Sequence, residues 1–243
     1  MKKGEEMSIR ILYEDNHLIV CVKPPGILSQ ASEMDYPDML TLLKKYIKDK
    51  YQKPGNVFCG LVHRLDLNVG GVMVFAKTSK GAKRLSEQIR NHAFHKRYLA
   101  VSLGDSGSLG KRITLDNYMK KDKKRRKAII TNNLNDKRAT LIYQPLEKVK
   151  ENHQVLTLNE VELITGRFHQ IRAQFSYYHF PLFGDNKYGP KTYGYELGLY
   201  AYQLSFKHPI TKDNLVFTHY PDMGVFQLFK TLNERTNHEQ QSN

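Results

Sequence analysis

Short apolar runs separated by turn residues recur along the chain, and their lengths and alternation predict strands. Residues 18–22 and 57–62 are continuous apolar runs of the length of a buried strand. Residues 139–149 and 154–164 are separated by only a few polar residues, as in a hairpin. The predicted strands cover residues 11–13, 18–22, 57–62, 72–76, 98–103, 139–149, 154–164, 199–206 and 214–219.

Three segments repeat apolar residues at helical spacing instead. The first covers residues 39–52, with lysines outside its apolar face. The second begins at Ser79, a residue type that caps helices, and the third opens at Gly166 and Arg167, directly after a strand. Because strands outnumber helices and several are joined as hairpins, the pattern predicts the α+β class, with a mixed, largely antiparallel central sheet and packed helices.

Length and composition suit one main domain. The chain has 243 residues and a hydrophobic content of 40%, which is enough for a buried core. We expect an N-terminal extension over residues 1–10, the domain over residues 11–230 and a polar tail over residues 231–243. No apolar run of about 18 residues and no signal-type segment occurs, so we expect a cytoplasmic, monomeric protein without membrane contact.

Charge points to a polyanionic partner. The formal net charge is +14, and residues 120–127 carry seven basic side chains broken only by Asp122. Such a block suits phosphate contact, although blocks of like charge are also typical of solvated, disordered loops, and the two interpretations are compatible. The residues that we assign to RNA contact in this block are Lys123, Lys124, Arg125 and Arg126.

One carboxylate has the sequence context of a catalytic group. Asp66 lies between the apolar run 57–62 and the alternating run 72–76, and two glycines, Gly70 and Gly71, close the connection. A side chain on a short loop held at both ends has a fixed direction, which catalysis requires. The alternative is that Asp66 merely caps the turn, a common use of aspartate.

Several segments resemble the motifs of a known family, the RluA-type pseudouridine synthases. The signature around Asp66 is similar to the first catalytic motif, and the others follow in the family's order over roughly residues 10–220. The segments are Lys23-Pro24-Pro25-Gly26, His63-Arg64-Leu65-Asp66, Lys96-Arg97-Tyr98-Leu99-Ala100, Gly166-Arg167-Phe168-His169-Gln170-Ile171-Arg172, Pro181-Leu182-Phe183-Gly184-Asp185 and Tyr188-Gly189. The chain departs from the family at Leu67, Val69 and Gly70, where an Arg and a Thr-Ser pair are usual.

The resemblance implies the catalytic fold of that family and the isomerisation of a specific uridine in ribosomal or transfer RNA. It implies no cofactor. Asp66 would be the catalytic carboxylate, which attacks the sugar, attacks the base or removes a ribose proton. Arg167 would keep Asp66 ionised, and Tyr98 would stack on the target uracil.

The same resemblance assigns RNA-binding residues. Arg64 would fill the space that the extruded uridine vacates or contact the phosphate, and we assign His63 beside it to RNA binding as well. The histidines do not indicate a metal site, because no cysteine or carboxylate shares a ligand spacing with them.

Two other functions remain open at this stage. A catalytically silent RNA-binding relative is suggested by Val69 and Gly70, although the intact Asp66, Tyr98 and Arg167 argue against it. A hydrolase that uses Asp66, such as a nucleosidase or a glycosidase, would typically need a second carboxylate, and no motif supplies one.

Overall fold

The computed structural model describes residues 9–33, 36–191 and 196–241, with side chains described as far as residue 236. Within these ranges the helices are α1 (Met39–Lys50), α2 (Ser79–Arg90), α3 (Gln170–Tyr177) and α4 (Lys230–Gln241), and a 3-10 helix covers Gly224–Leu228. The strands are β1 (Ile11–Glu14), β2 (Leu18–Lys23), β3 (Gly60–Leu61), β4 (Gly70–Ala76), β5 (His95–Leu103), β6 (Ile113–Asp122), β7 (Lys127–Thr131), β8 (Lys137–Glu151), β9 (Gln154–Leu163), β10 (Leu199–Lys207) and β11 (Asn214–Thr218). Most of the predicted extension at residues 1–10 lies outside the described residues.

The strands form one sheet in the order β1-β2-β4-β10-β5-β9-β8-β6-β7, with β11 beside β10 and β3 beside β4. Among the described strand pairs, β4 with β10 is parallel and the others are antiparallel. The predicted α+β class with a mixed, largely antiparallel sheet is confirmed. No helix in the described ranges has both the length and the apolar character needed to cross a membrane.

Strand β4 lies at the centre of the packing, and all seven of its residues are buried. Successive side chains of a strand point to opposite faces. Met73 therefore packs in the cluster that contains Leu43 of α1, whereas Val72 packs in the cluster that contains Leu85 of α2. Because both faces are covered, β4 is a continuous apolar run and the loop that precedes it is fixed at that end.

Two predicted helix starts need correction. The N-cap of α2 is Thr78, whose hydroxyl accepts the Gly81 N–H, and Ser79 is already helical. Helix α3 begins at Gln170 and not at Gly166, because His169 adopts a left-handed backbone conformation with φ of 51°. Residues 166–169 therefore form a turn between β9 and α3, which changes which arginine faces the loop of Asp66.

Two further segments differ from the prediction. The basic block at residues 120–127 is not a loose loop: it spans the turn of the β6–β7 hairpin, and the Asp122 carboxylate closes the turn by accepting the Arg125 N–H. The region expected as a polar tail begins with helix α4, where Leu232 is buried against Phe229. Strand β6 was missed because polar and charged residues interrupt its apolar alternation, and β7 because its apolar run, Ala128-Ile129-Ile130, is only three residues long.

Candidate active site

The loop between β3 and β4 is fastened on both sides of Asp66. The Ser29 hydroxyl accepts the Leu65 N–H at 3.1 Å and donates to the Leu65 carbonyl at 3.0 Å. On the other side, the Leu67 carbonyl accepts the Gly26 N–H at 2.9 Å and an N–H of the Lys23 ammonium at 3.1 Å. The predicted pinned loop is therefore present, and most of its anchors come from the segment that follows β2.

Lys23 is an unusual anchor, because its side chain is fully buried. Its ammonium donates to the carbonyls of Pro24, Ile27 and Leu67, at 3.0, 2.7 and 3.1 Å. Burial lowers the pKa of Lys23 to about 7, and the nearby Asp66 carboxylate acts in the opposite direction. Three carbonyl acceptors match the three donors of the protonated amine, so the charged form satisfies every contact.

The glycines after the loop allow β4 to approach β10 closely. Gly71 has a φ of +130°, and a Cβ there would collide with the backbone of Ala201. A Cβ on Gly70 would lie 2.8 Å from the Tyr200 ring. At Gly70, where the chain departs from the family motif, the ring of Tyr200 therefore occupies the space of a side chain.

Asp66 forms an ion pair with Arg172. The Arg172 Nη1 donates to Asp66 Oδ2 at 3.0 Å. The same guanidinium donates from Nε and Nη2 to the two oxygens of Asp185, at 2.8 Å each, and the Asp185 side chain is fully buried. Burial opposes the charge on Arg172, but the two carboxylates outweigh it and raise the pKa of Arg172.

The predicted pair between Arg167 and Asp66 is wrong. Arg167 lies in the turn before α3, is exposed, and donates from Nε to the Arg138 carbonyl at 2.9 Å. Arg172 lies in the first turn of α3 and faces the loop. The left-handed His169 separates the two positions: Arg167 stays in the turn, bonded to the Arg138 carbonyl, whereas Arg172 lies on the helix and bonds to Asp66.

A chain of contacts through His169 and Tyr188 connects Asp66 to the basic hairpin. His169 Nε2 lies 3.4 Å from Asp66 Oδ2, and its Nδ1 lies 2.8 Å from the Tyr188 hydroxyl. That hydroxyl also accepts the Ala128 N–H of β7 at 2.6 Å. Burial lowers the pKa of His169 to about 4, so the ring is neutral near pH 7, and burial raises the pKa of Tyr188 to about 12. The tyrosine proton therefore lies toward Nδ1, and the proton on Nε2 faces Asp66.

The other predicted site residues lie around the same cleft. Tyr98 on β5 lines the cleft, and burial, reinforced by the Asp66 carboxylate, raises the pKa of Tyr98, so its hydroxyl stays protonated. Arg64 is exposed and lines the cleft. His63, predicted to bind RNA, also lines the cleft; it is only 6% exposed, and its Nε2 accepts the Val74 N–H at 3.1 Å. Its geometry is that of a residue that fastens the loop to β4.

The cleft has a volume of about 1320 Å³ and is strongly cationic. Among the described residues, its lining contains two carboxylates, Asp66 and Glu196, and a larger set of basic side chains: Arg64, Lys96, Lys121, Arg126, Lys127, Arg167, Arg172 and Lys187. Three of these come from the β6–β7 hairpin, which therefore forms one wall of the cleft. Of the predicted RNA contacts, Arg126 lies on this wall, whereas Lys123, Lys124 and Arg125 are exposed at the turn.

Sequence reasoning missed Arg172, Lys23, Asp185 and Tyr188 as functional residues. All four lie within segments that carry the family resemblance, so the signal was present. What the sequence does not show is which members of each segment meet in space. The arrangement that results is an accessible carboxylate held against a fixed guanidinium, beside a protonated tyrosine and in a cleft that attracts phosphate.

The chain is similar to known proteins over most of its length. Residues 17–177 match the RNA pseudouridylate synthase family. The chain is 33% identical over 221 residues to an uncharacterized RNA pseudouridine synthase, YlyB, of Bacillus subtilis, covering 88% of this chain and 69% of the relative. It is 30% identical to tRNA pseudouridine synthase C of Haemophilus ducreyi, covering 92% and 95% of the two chains. With the dual-specificity RNA pseudouridine synthase RluA of Haemophilus influenzae it shares 29% identity, covering 87% and 93%.

A solved structure has the same fold. Human RNA pseudouridylate synthase domain containing 4 superposes with a TM-score of 0.71 at 23% identity, covering 94% of this chain and 93% of the human chain. The motif segments, the matched family and the relatives together place this chain among the RNA pseudouridine synthases of the RluA type.

Proposed function

We propose that this protein converts a uridine in ribosomal or transfer RNA to pseudouridine, with Asp66 as the catalytic carboxylate. The observation that carries the proposal is the contact between Asp66 and Arg172 inside a cationic cleft. The carboxylate has a counter-charge at 3.0 Å, and its side chain remains 29% exposed. It can therefore reach a nucleotide that enters the cleft.

The reaction needs no oxidant and no leaving group. The bond from the ribose to the uracil nitrogen N1 breaks, the base turns, and the ribose is bonded to C5, which loses one proton while N1 gains one. An ionised carboxylate can support this by attacking the sugar, by attacking the base or by removing a ribose proton. Asp66 would perform the step, Arg172 would stabilise its charge, and Tyr98 would lie against the uracil.

The cleft supports an RNA substrate rather than a free nucleoside. Its volume of about 1320 Å³ exceeds the roughly 300–1,000 Å³ typical of small-molecule sites. A uridine in folded RNA must leave the base stack before its glycosidic bond is accessible, and Arg64 at the cleft could occupy the vacated space. Two relatives are named for transfer RNA and for the large ribosomal subunit, which supports these two RNA classes as substrates.

The alternatives are less well supported. A catalytically silent relative would have no need for the ion pair of Asp66 with Arg172, which is intact. A glycoside hydrolase would use a second carboxylate beside the first. Asp185 shares Arg172 with Asp66, but its side chain is fully buried and both its oxygens are bonded to the guanidinium. Glu196 also lines the cleft, but its Oε2 lies against Gly224, where an added Cβ would be 3.1 Å away, and no contact with Asp66 is among those of the described residues.

The test is an activity assay on RNA from a strain that lacks this gene, labelled with tritium at uracil C5. Wild-type protein should release tritium into water, whereas a hydrolase would release free uracil and a silent relative would release neither. The tritium release by Asp66→Asn should fall below detection, because the carboxylate is lost. Its melting temperature should not change, because the two side chains have nearly the same shape. Turnover by this variant at the wild-type rate would remove Asp66 from the mechanism.

A matched control is Asp49→Asn, which changes an exposed carboxylate on α1 in the same way. We expect its activity and melting temperature to equal those of the wild type. Loss of activity in both variants would point to a general effect of the substitution rather than to Asp66.

A further inference from the structure

Lys96 is a basic residue that lines the cleft. It neither anchors the loop of Asp66 nor takes part in the ion pair of Asp66 with Arg172. It lies on β5 two positions before Tyr98, so both side chains point to the same face of the strand. Both also line the cleft. The ammonium is close to Gly166, which also lines the cleft: a Cβ added there would lie 3.8 Å from Nζ, at ordinary contact distance.

The ammonium of Lys96 has no counter-ion in the part of the chain that the structure describes. Its Nζ lies 5.6 Å from the centre of the Phe94 ring, and among the described residues it meets neither a carboxylate nor a hydrogen-bond acceptor. Burial lowers the pKa of Lys96, and no carboxylate works against that shift. A largely buried cation without a counter-ion is unfavourable for the free protein, because it loses hydration and gains only the cation–π contact with the Phe94 ring.

The substrate offers one chemical group that would satisfy this cation. In a nucleotide the base and the ribose are neutral near pH 7, and the phosphate alone carries negative charge. A compact ammonium with three donors suits phosphate oxygens, and a contact made in a partly dehydrated cleft is stronger than one at the surface. Asp66, one of the two carboxylates among the described residues that line the cleft, is already paired with Arg172.

We propose that Lys96 binds a phosphate group bonded to the uridine that is isomerised. The inference rests on the proposed function, since an RNA nucleotide is the ligand. It assigns Lys96 a task different from that of the basic hairpin: the hairpin meets the RNA at the cleft wall, whereas Lys96 fixes the position of a single nucleotide beside Tyr98.

The first measurement compares the binding of uridine, uridine 3′-monophosphate and uridine 5′-monophosphate by titration calorimetry. The wild type should bind one of the monophosphates at least about tenfold more tightly than uridine, the typical gain from a hydrogen bond to a charged group. Lys96→Met should lose that preference, and Lys96→Arg should keep most of it. Equal binding of all three compounds by the wild type, or an unchanged preference in Lys96→Met, would overturn the proposal.

The second measurement separates binding from a structural role. Lys96→Met removes an unpaired buried charge, so its melting temperature should equal or exceed that of the wild type, whereas a structural lysine would lower it on removal. A clear fall in melting temperature would count against the proposal. Lys111→Met, a change at an exposed lysine outside the cleft lining, is the control and should alter neither nucleotide preference nor melting.

Both measurements use the intact protein and require no isomerisation. If the protein binds the monophosphate more tightly through Lys96 but releases no tritium, the phosphate site stands and the proposed function is refuted. If it releases tritium but shows no preference for a monophosphate, the proposed function stands and the phosphate site is refuted.

Discussion

The Asp185 carboxylate accepts hydrogen bonds from two nitrogens of the Arg172 guanidinium, Nε and Nη2, at 2.8 Å each. This orientation leaves the remaining nitrogen, Nη1, facing the cleft. Asp66 meets that nitrogen at 3.0 Å. A bidentate pair fixes the plane of the guanidinium, so the direction of the ion pair between Arg172 and Asp66 is set by a carboxylate that is itself fully buried.

We therefore predict that Arg172, and not Arg167, controls the rate. Arg172→Met should lower the single-turnover rate roughly a hundredfold or more, as for the loss of a preorganised electrostatic partner. It would also leave Asp185 buried without a counter-charge, which costs about 3–5 kcal/mol of stability. The double variant Arg172→Met with Asp185→Leu removes both charges and should recover part of that stability but not the rate.

Arg167→Met is the comparison. Its guanidinium bonds to a backbone carbonyl at the cleft rim, so this variant should keep the single-turnover rate within about threefold of wild type, well below the loss expected from removing a catalytic partner. A severe loss of rate in Arg167→Met, with Arg172→Met nearly normal, would restore the pairing that the sequence predicted.

The basic turn of the hairpin should contribute to affinity and not to chemistry. Lys123, Lys124 and Arg125 are exposed beyond the cleft lining. Replacing all three with Ser should weaken RNA binding and flatten the dependence of log affinity on log salt by about two units, if each neutralises one phosphate. The single-turnover rate at saturating RNA should not change, and filter binding between low and moderate salt gives the slope.

A matched triple variant replaces Lys44, Lys48 and Lys83 with Ser, since these lysines are exposed on α1 and α2 and do not line the cleft. It removes the same net charge. An equal flattening of the slope in both variants would show that overall charge, rather than the hairpin turn, determines the salt dependence.

Lys23 should be required for the conformation of the loop that carries Asp66. Lys23→Met keeps the length of the side chain but leaves buried carbonyls without a donor, which costs about 1–3 kcal/mol for each such group. The Leu67 carbonyl, next to Asp66, would keep the Gly26 N–H but lose the second of its two donors, so the loop is held less firmly there and the single-turnover rate should fall at least tenfold. Urea unfolding and the tritium assay measure the two effects, with exposed Lys44→Met as the control; a normal rate would mean that Ser29 and Gly26 hold the loop without Lys23.

Glu14 should make stability depend on acid pH. Burial alone would raise the pKa of Glu14, but bonds from Lys50, Lys77, Tyr51 and Tyr46 outweigh it and lower the pKa to about 2, against 4.5 for the free side chain. The stabilisation is therefore complete above about pH 4.5 and is lost as the pH falls toward 2. It amounts to about 2 kcal/mol at neutral pH, after allowance for the exposure of Lys50.

Denaturant unfolding at several pH values tests this. Glu14→Gln should be less stable than wild type at pH 7 and should lose less stability between pH 5 and pH 2. Glu151→Gln, at an exposed position at the end of β8, should follow the wild-type curve. If the unfolding free energies of Glu14→Gln and wild type fell in parallel with pH, Glu14 would not be the source of the pH dependence.

The amino-acid sequence by itself predicted those strands and turns whose pattern depends only on residues close to one another in the chain. The all-apolar run of β4 and the turn residues around Asp66 fixed a carboxylate on a pinned loop, because alternation, strand length and turn chemistry depend on neighbours in sequence. The motif order likewise identified the family, its α+β fold and the residues from which the site is built.

Tertiary structure decided which of those residues meet. Arg167 and Arg172 belong to one motif, and the left-handed backbone of His169, which no periodicity reveals, places the second beside Asp66 and the first at the rim. The burial of Lys23 and the position of the basic hairpin on the cleft wall also depend on packing between segments far apart in the chain. Contacts of that kind are set by the whole fold, since a side chain acquires a partner only once the distant backbone that carries it is in place.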